Sequence, residues 1–87
     1  MEITFDSAKD AGNVAKHGLS LADAHRFEMD EAVVEVDNRA DHGEIRFRAF
    51  GRIDGEGHCL VFTIREGAIR AISFRRAHEK EMRRYGR

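Results

Sequence analysis

His17 is the first residue in this chain whose placement suggests chemistry. It sits in Lys16-His17-Gly18, at the end of a helical segment that opens at Asp6. The negative end of a helix dipole favours a protonated imidazole there, so His17 is a candidate proton donor or acceptor. His25, His42, His58 and His78 are also present. On chemistry alone, His17 could equally be a surface histidine at a helix end. Arg65 and Arg75 form a second set. Each closes an alternating apolar run, with Thr63 and Ser73 two positions back. On one sheet face, the two guanidinium forks and two hydroxyls would make a phosphate clamp. Strand parity by itself leaves open whether they share that face or are solvated edge arginines. Ala77, Glu81 and Tyr85 recur every four residues and form one helix stripe. A glutamate buried there needs a cation, and an arginine at the sheet end is the obvious partner. Tyr85 would bring its hydroxyl to the same patch, unless it simply packs at a helix edge.

Other chemistries have little support. No pair of histidines has His-x-x-x-His spacing, and the single Cys59 cannot build a zinc cluster. Gly55-x-Gly57 reads as a turn, and no Gly-x-Ser-x-Gly nucleophile motif occurs. Neither a metal nor a cofactor is expected.

These residues stand on a chain of 87 residues, the length of one domain spanning 1–87. A chain of this size buries only roughly 60–65% of its extended surface. A deep cofactor cavity is therefore not expected, and function belongs on an open face or an interface. No apolar run approaches the ~20 residues that span a bilayer. The first residues lack a signal-peptide pattern. Cys59, beside Leu60-Val61-Phe62, reads as a buried apolar residue and fits a reducing cytoplasm.

The net charge of −1 hides a division. Residues 1–44 hold four basic and eleven acidic side chains, a net −7, whereas residues 45–87 sum to +6. Twelve of the fifteen cations are arginine, the residue whose fork matches phosphate or carboxylate. The basic half therefore fits a polyanion or an acidic partner, unless the halves neutralise each other in the fold.

The elements follow from local pattern. Ile3-Thr4-Phe5 reads as a short strand. Asp6 caps a helix over Ser7–Lys16, which Gly18 ends. Ser20, with Asp23 three residues on, caps a second helix carrying Leu21, Ala24 and Phe27 and ending near Glu28. From there the period is two. Val34 and Val36 oppose Glu35 and Asp37. Ile45–Phe50 follows the turn residues 37–43, with Gly51 a candidate bulge. Cys59–Arg65 and Ile69–Arg75 follow short turns at Asp54–Gly57 and Glu66-Gly67. Ala77–Tyr85 returns to helix. The order β-α-α-β-β-β-β-α predicts an α+β domain, an antiparallel sheet flanked by helices.

Taken together, Phe5-Asp6, Lys9, Asn13, Lys16-His17-Gly18, Ser20 and Ala24 resemble the opening of the BrnT family. Glu44, Arg46, Gly51, Asp54-Gly55, Thr63 and Arg65 continue the likeness. Ile72-Ser73-x-Arg75-x-Ala77, Glu81 and Tyr85 complete it. The acids of Phe27–Val33 depart from the family's more apolar pattern. The resemblance implies a RelE-like fold and an endoribonuclease toxin of a type II toxin–antitoxin system. It also implies neutralisation by a BrnA-type antitoxin, with operator DNA reached only through their complex, which represses its own operon. A metal-independent mechanism is expected, in which a ribose 2′-OH attacks the adjacent phosphorus. The roles then expected are His17 as acid or base, Arg65 and Arg75 as the phosphate clamp, Glu81 as the orienter of an arginine, and Tyr85 as donor or stacking group. Lys9, Lys16, Arg46, Thr63 and Ser73 would bind substrate. Two rivals use the same residues. One is a non-catalytic RNA- or ribosome-binding module, and the other is a basic half paired permanently to an acidic protein.

Overall fold

The computed structural model describes residues 2–39 and 43–85. His42 and part of the turn 37–43 lie outside them. Strand β1 (Ile3–Thr4) leads into helix α1 (Ser7–His17). Asp6 starts α1 by accepting from the backbone N–H groups of Ala8 and Lys9, at 2.7 and 3.2 Å. Gly18 ends it in the left-handed conformation at φ 72°, as the Lys16-His17-Gly18 pattern predicts.

The second helix differs from expectation. Leu21–Arg26 and Met29–Glu31 are 3₁₀ turns. Leu21, Ala24 and Phe27 stand three residues apart, and all three are buried. Three residues per turn aligns them on one face, which an α-helix would fan out. Ser20 caps the first 3₁₀ turn by accepting from Ala22 N–H. Ser20 Oγ and Leu21 N–H donate to Asp10 at 3.0 and 2.7 Å, so the carboxylate that caps this turn is that of Asp10 and not of Asp23.

Strands β2 (Val33–Val36), β3 (Phe47–Ile53), β4 (Glu56–Arg65) and β5 (Ala68–Arg76) follow, and then helix α2 (Glu79–Arg84). The sheet order is β1-β5-β4-β3-β2. β2 to β5 pair antiparallel, as short turns require. β1 pairs parallel to β5, so the sheet is mixed rather than wholly antiparallel. The two tight hairpins turn on Asp54-Gly55 and Glu66-Gly67, with positive φ at all four residues. That is the twist that matches paired strands. Gly51 is not a bulge, since β3 pairs with β4 in unbroken register through it. A Cβ there would come within 2.9 Å of the Phe27 ring, so this glycine makes room for the 3₁₀ segment.

The bulge lies in β5 instead. Val61 pairs with Ser73 and Phe62 with Ala71, which leaves Ile72 extra. Neighbouring β4 residues face opposite ways, so Ala71 and Ser73 do as well. Simple alternation, which groups Ile69, Ala71, Ser73 and Arg75, fails at this point. Ile69, Ala71 and Phe74 join Leu21, Ala24, Phe27, Ala49, Leu60 and Phe62 in the larger core. Ser73 and Arg75 move to the other face. There Phe50, Cys59, Val61 and Met82 form a smaller cluster under α2.

β1 is too short to pair with all of β5, and Asn13 of α1 replaces it beyond Arg70. The Asn13 side chain donates to Phe74 O at 2.8 Å and accepts from Phe74 N–H at 3.0 Å. It also donates to Leu19 O at 2.7 Å. One buried amide thus does the work of a strand edge and fixes α1 beside β5. Asn13→Ala would orphan two buried backbone groups, an expected loss of roughly 2–4 kcal/mol. Urea unfolding of the variant against the wild type measures it, and a difference under ~0.5 kcal/mol would contradict this account.

Candidate active site

The bulged face of the sheet gathers the charged residues. Pairing across β2, β3 and β4 puts Glu35 opposite Arg48 and Arg48 opposite Val61, while Phe50 and Arg75 both stand opposite Cys59. Directly opposed residues share a face. Glu35, Arg48 and Arg75 therefore project together over Phe50 and Cys59. Val34 and Val36 point to the other side of β2 and are 45% and 50% exposed.

Every guanidinium here holds a carboxylate. Arg75 forks onto Glu81 with two bonds of 3.0 Å. Glu81 Oε1 also accepts from His78 N–H at 3.1 Å, the reciprocal half of the cap that starts α2. The Arg75 fork is the main reason the Glu81 carboxyl is pushed down to about 2, with the His78 N–H helping and burial opposing. Arg39 forks onto the buried Asp37 at 2.7 and 2.8 Å, which holds that carboxyl far below the usual range. Arg48 bonds Glu35 Oε1 and donates to the Tyr85 hydroxyl at 3.1 Å. Tyr85 donates in turn to Glu35 Oε1 at 3.2 Å. The Tyr85 ring stacks on Phe50, centroids 4.1 Å apart and planes 9° apart. Burial raises the Cys59 thiol pKa, and Arg75, Arg48 and Arg39 all act on that thiol electrostatically in the opposite sense. Arg75 stands directly opposite Cys59, and the Arg48 guanidinium lies over the neighbouring Phe50 ring, 5.4 Å from its centroid.

His17 enters from α1. It is close enough to Arg75 to feel its charge. Its pKa lies below the ordinary value because of burial first, then Lys16 and Arg75. The dipole expectation of a favoured imidazolium is reversed, since desolvation and two cations outweigh the helix end. Lys9 and Lys16, two helical turns apart, lie along one side of α1.

Arg46, Thr63 and Arg65 form a separate group. Arg65 is on the same face as Arg75 but six residues along β4 from Cys59, which is Arg75's cross-strand neighbour. That is about 20 Å, so the pair cannot grip one phosphate. Arg65 bonds Glu44 at 3.2 Å, and Arg46 bonds the same carboxylate at 3.3 Å. Thr63 is buried and donates to Ile45 O at 2.7 Å, which ties down the approach to β3. Ser73 is on the Arg75 side of this division, half-buried. Glu35, Asp37, Arg39 and Arg48 escaped the sequence reading. The alternation of Glu35 and Asp37 against Val34 and Val36 was their visible signal.

A family model described as "Ribonuclease toxin, BrnT, of type II toxin-antitoxin system" matches residues 5–81. No match is found among curated proteins. The 1.1 Å crystal structure of the Brucella abortus ribonuclease toxin BrnT is 32% identical to this chain. The match covers 90% of this chain and 97% of that one, with a TM-score of 0.70.

The Glu81 pKa gives a pH test. A carboxyl depressed from 4.5 to about 2 in the fold adds stability that is fully present above the unfolded value. That stability is lost as pH falls through about 2. Glu81→Gln should lower Tm at pH 7 and flatten its decline between pH 4.5 and 2. Thermal unfolding across that window checks it, and parallel curves for the two proteins would refute the pairing.

Proposed function

The chain belongs to the BrnT family of ribonuclease toxins of type II toxin–antitoxin systems, and from that premise we propose that it cuts RNA internally, without a metal, at the Arg75 end of the bulged sheet face. The observation that carries this reading is Arg75, forked by Glu81 at the end of β5, with His17 at the end of α1 near enough to feel its charge.

The reaction begins with phosphate replacing a carboxylate on Arg75. Arg48 and Arg39 add charge beside it and neutralise the phosphoryl oxygens as the transition state forms. His17 is the base. Its lowered pKa keeps the ring neutral at pH 7, so it can take the proton of a ribose 2′-OH. The 2′-oxygen then forms a bond to phosphorus, the bond to the 5′-oxygen breaks, and solvent protonates the leaving oxygen. Glu81 fixes Arg75 before RNA arrives and yields the fork to the phosphate, and it touches no substrate. Arg46, Arg65, Lys9 and Lys16 follow the RNA backbone on either side. Arg65 therefore moves from the clamp to the track, while Thr63 supports the fold beneath it. An antitoxin partner and an RNA target follow from the family. The antitoxin is of the BrnA type, covers this cationic face, and supplies the DNA-binding element through which the complex represses its operon.

Purified protein incubated with RNA in EDTA should still cleave it, and Arg75→Ala should lower the rate by about 10²–10³. The rate should be level near neutrality and fall at acid pH as His17 protonates, below its ordinary 6.5. His17→Asn should abolish that acid limb. Intact RNA with salt-sensitive binding would instead make the protein a non-catalytic RNA- or ribosome-binding module.

A further inference from the structure

The Glu35–Arg48–Tyr85 group has no task in the reaction beyond the charge that Arg48 supplies, yet its three side chains are all bonded to one another. Tyr85 is half-buried, and one side of its ring is fixed on Phe50, centroids 4.1 Å apart. Phe50 is fully buried, so the platform beneath the tyrosine is rigid. The Glu35 side chain remains 34% exposed. Both of its hydrogen bonds, from Arg48 and from the Tyr85 hydroxyl, go to Oε1. Oε2 takes neither. The arrangement is an aromatic plane with a half-presented carboxylate oxygen at its edge. Glu35 stands three strands from Arg75 and two residues along, about 16 Å between backbones.

We propose that Tyr85 and Glu35 form a base-reading subsite of the cleavage face, in which a guanine of the RNA stacks on the Tyr85 ring and donates its edge N–H groups to Glu35. The proposal rests on the ribonuclease reading above and adds the substrate preference. Single-stranded RNA is read by stacking on aromatic rings and by hydrogen bonds to base edges. An ionised carboxylate only accepts, so it selects the base whose edge only donates at adjacent positions. Guanine has N1–H beside N2–H. Adenine and cytosine each set an amino donor beside a ring-nitrogen acceptor, and uracil flanks its N3–H with two carbonyls. Those acceptors would face the carboxylate and repel it. Arg48 acts through Glu35 as a positioning residue. It fixes Oε1 and leaves Oε2 to the base.

The test is a cleavage profile over short single-stranded RNAs that vary one base at a time around the cut, using the whole chain and its Glu35→Gln variant. The wild type should favour one position occupied by guanine. Glu35→Gln replaces one acceptor oxygen by a donor, and should lose roughly 10–100-fold in kcat/KM on guanine substrates. It should stay within about threefold on the others. A merely structural glutamate would give a uniform change at every site, and removing a negative charge would tighten RNA binding without altering the profile. Tyr85→Phe should retain the preference more fully than Tyr85→Leu, with thermal unfolding confirming that both fold. A wild type indifferent to base, or a profile unchanged in Glu35→Gln, overturns the subsite and leaves the nuclease reading intact. No cleavage by the wild type overturns both.

Discussion

The face that carries the arginines exists because β5 has one residue too many. Without the bulge at Ile72, Arg75 would share a side with Ile69 and Ala71 and would point into the larger core. A guanidinium there would need a buried counter-charge among Leu21, Phe27 and Leu60. The extra residue lets the first half of β5 bury its odd positions and the second half bury Phe74. Ser73 and Arg75 then emerge on the opposite side, above Cys59. Bulges re-aim side chains beside functional surfaces in this way. The rest of the site follows, because α2 packs on the face that Arg75 has joined and meets it with Glu81.

The second organising feature is mutual neutralisation. Arg39, Arg48 and Arg75 each hold a carboxylate from the same face. The predominance of acids in the first half of the chain and of arginines in the second is partly resolved here, as Glu35 of the first half meets Arg48 of the second. Exposed pairs of this kind contribute little to stability, but these are partly buried, and those of Arg39 and Arg75 are forked. Their stronger effect is on geometry, since a forked guanidinium has one preferred plane. The carboxylates hold the arginines in place in the absence of RNA, and a phosphate offers the same fork a stronger charge.

Local features were read well because they depend on few neighbours. The Asp6 cap, the Gly18 stop, the Asp54-Gly55 and Glu66-Gly67 hairpins and the four antiparallel strands are all set by short-range sterics and alternation. The attraction between Arg75 and Glu81 was also foreseeable, because a glutamate on a helix stripe against a sheet must find a cation. The three-residue spacing of Leu21, Ala24 and Phe27 is the signal of the 3₁₀ form of Leu21–Arg26, whereas the Ser20 cap by itself fits an α-helix equally well. The assignment of His17 as a favoured imidazolium failed because it counted the helix end and omitted the burial and the cations that the fold brings to it.

By itself, then, the amino-acid order determined the elements, the turns between them, the family likeness and the supply of arginines and carboxylates, all of which are written in nearest-neighbour chemistry. Only the tertiary structure decided which charges meet. Strand register and a single bulge set the face of every residue in β5, and those depend on how Asn13, Phe27 and Gly51 pack against strands far away in the chain. That is why Arg65 lies far from Arg75, why Arg48 joins Glu35 and Tyr85, and why His17, partly buried, feels the charge of Arg75.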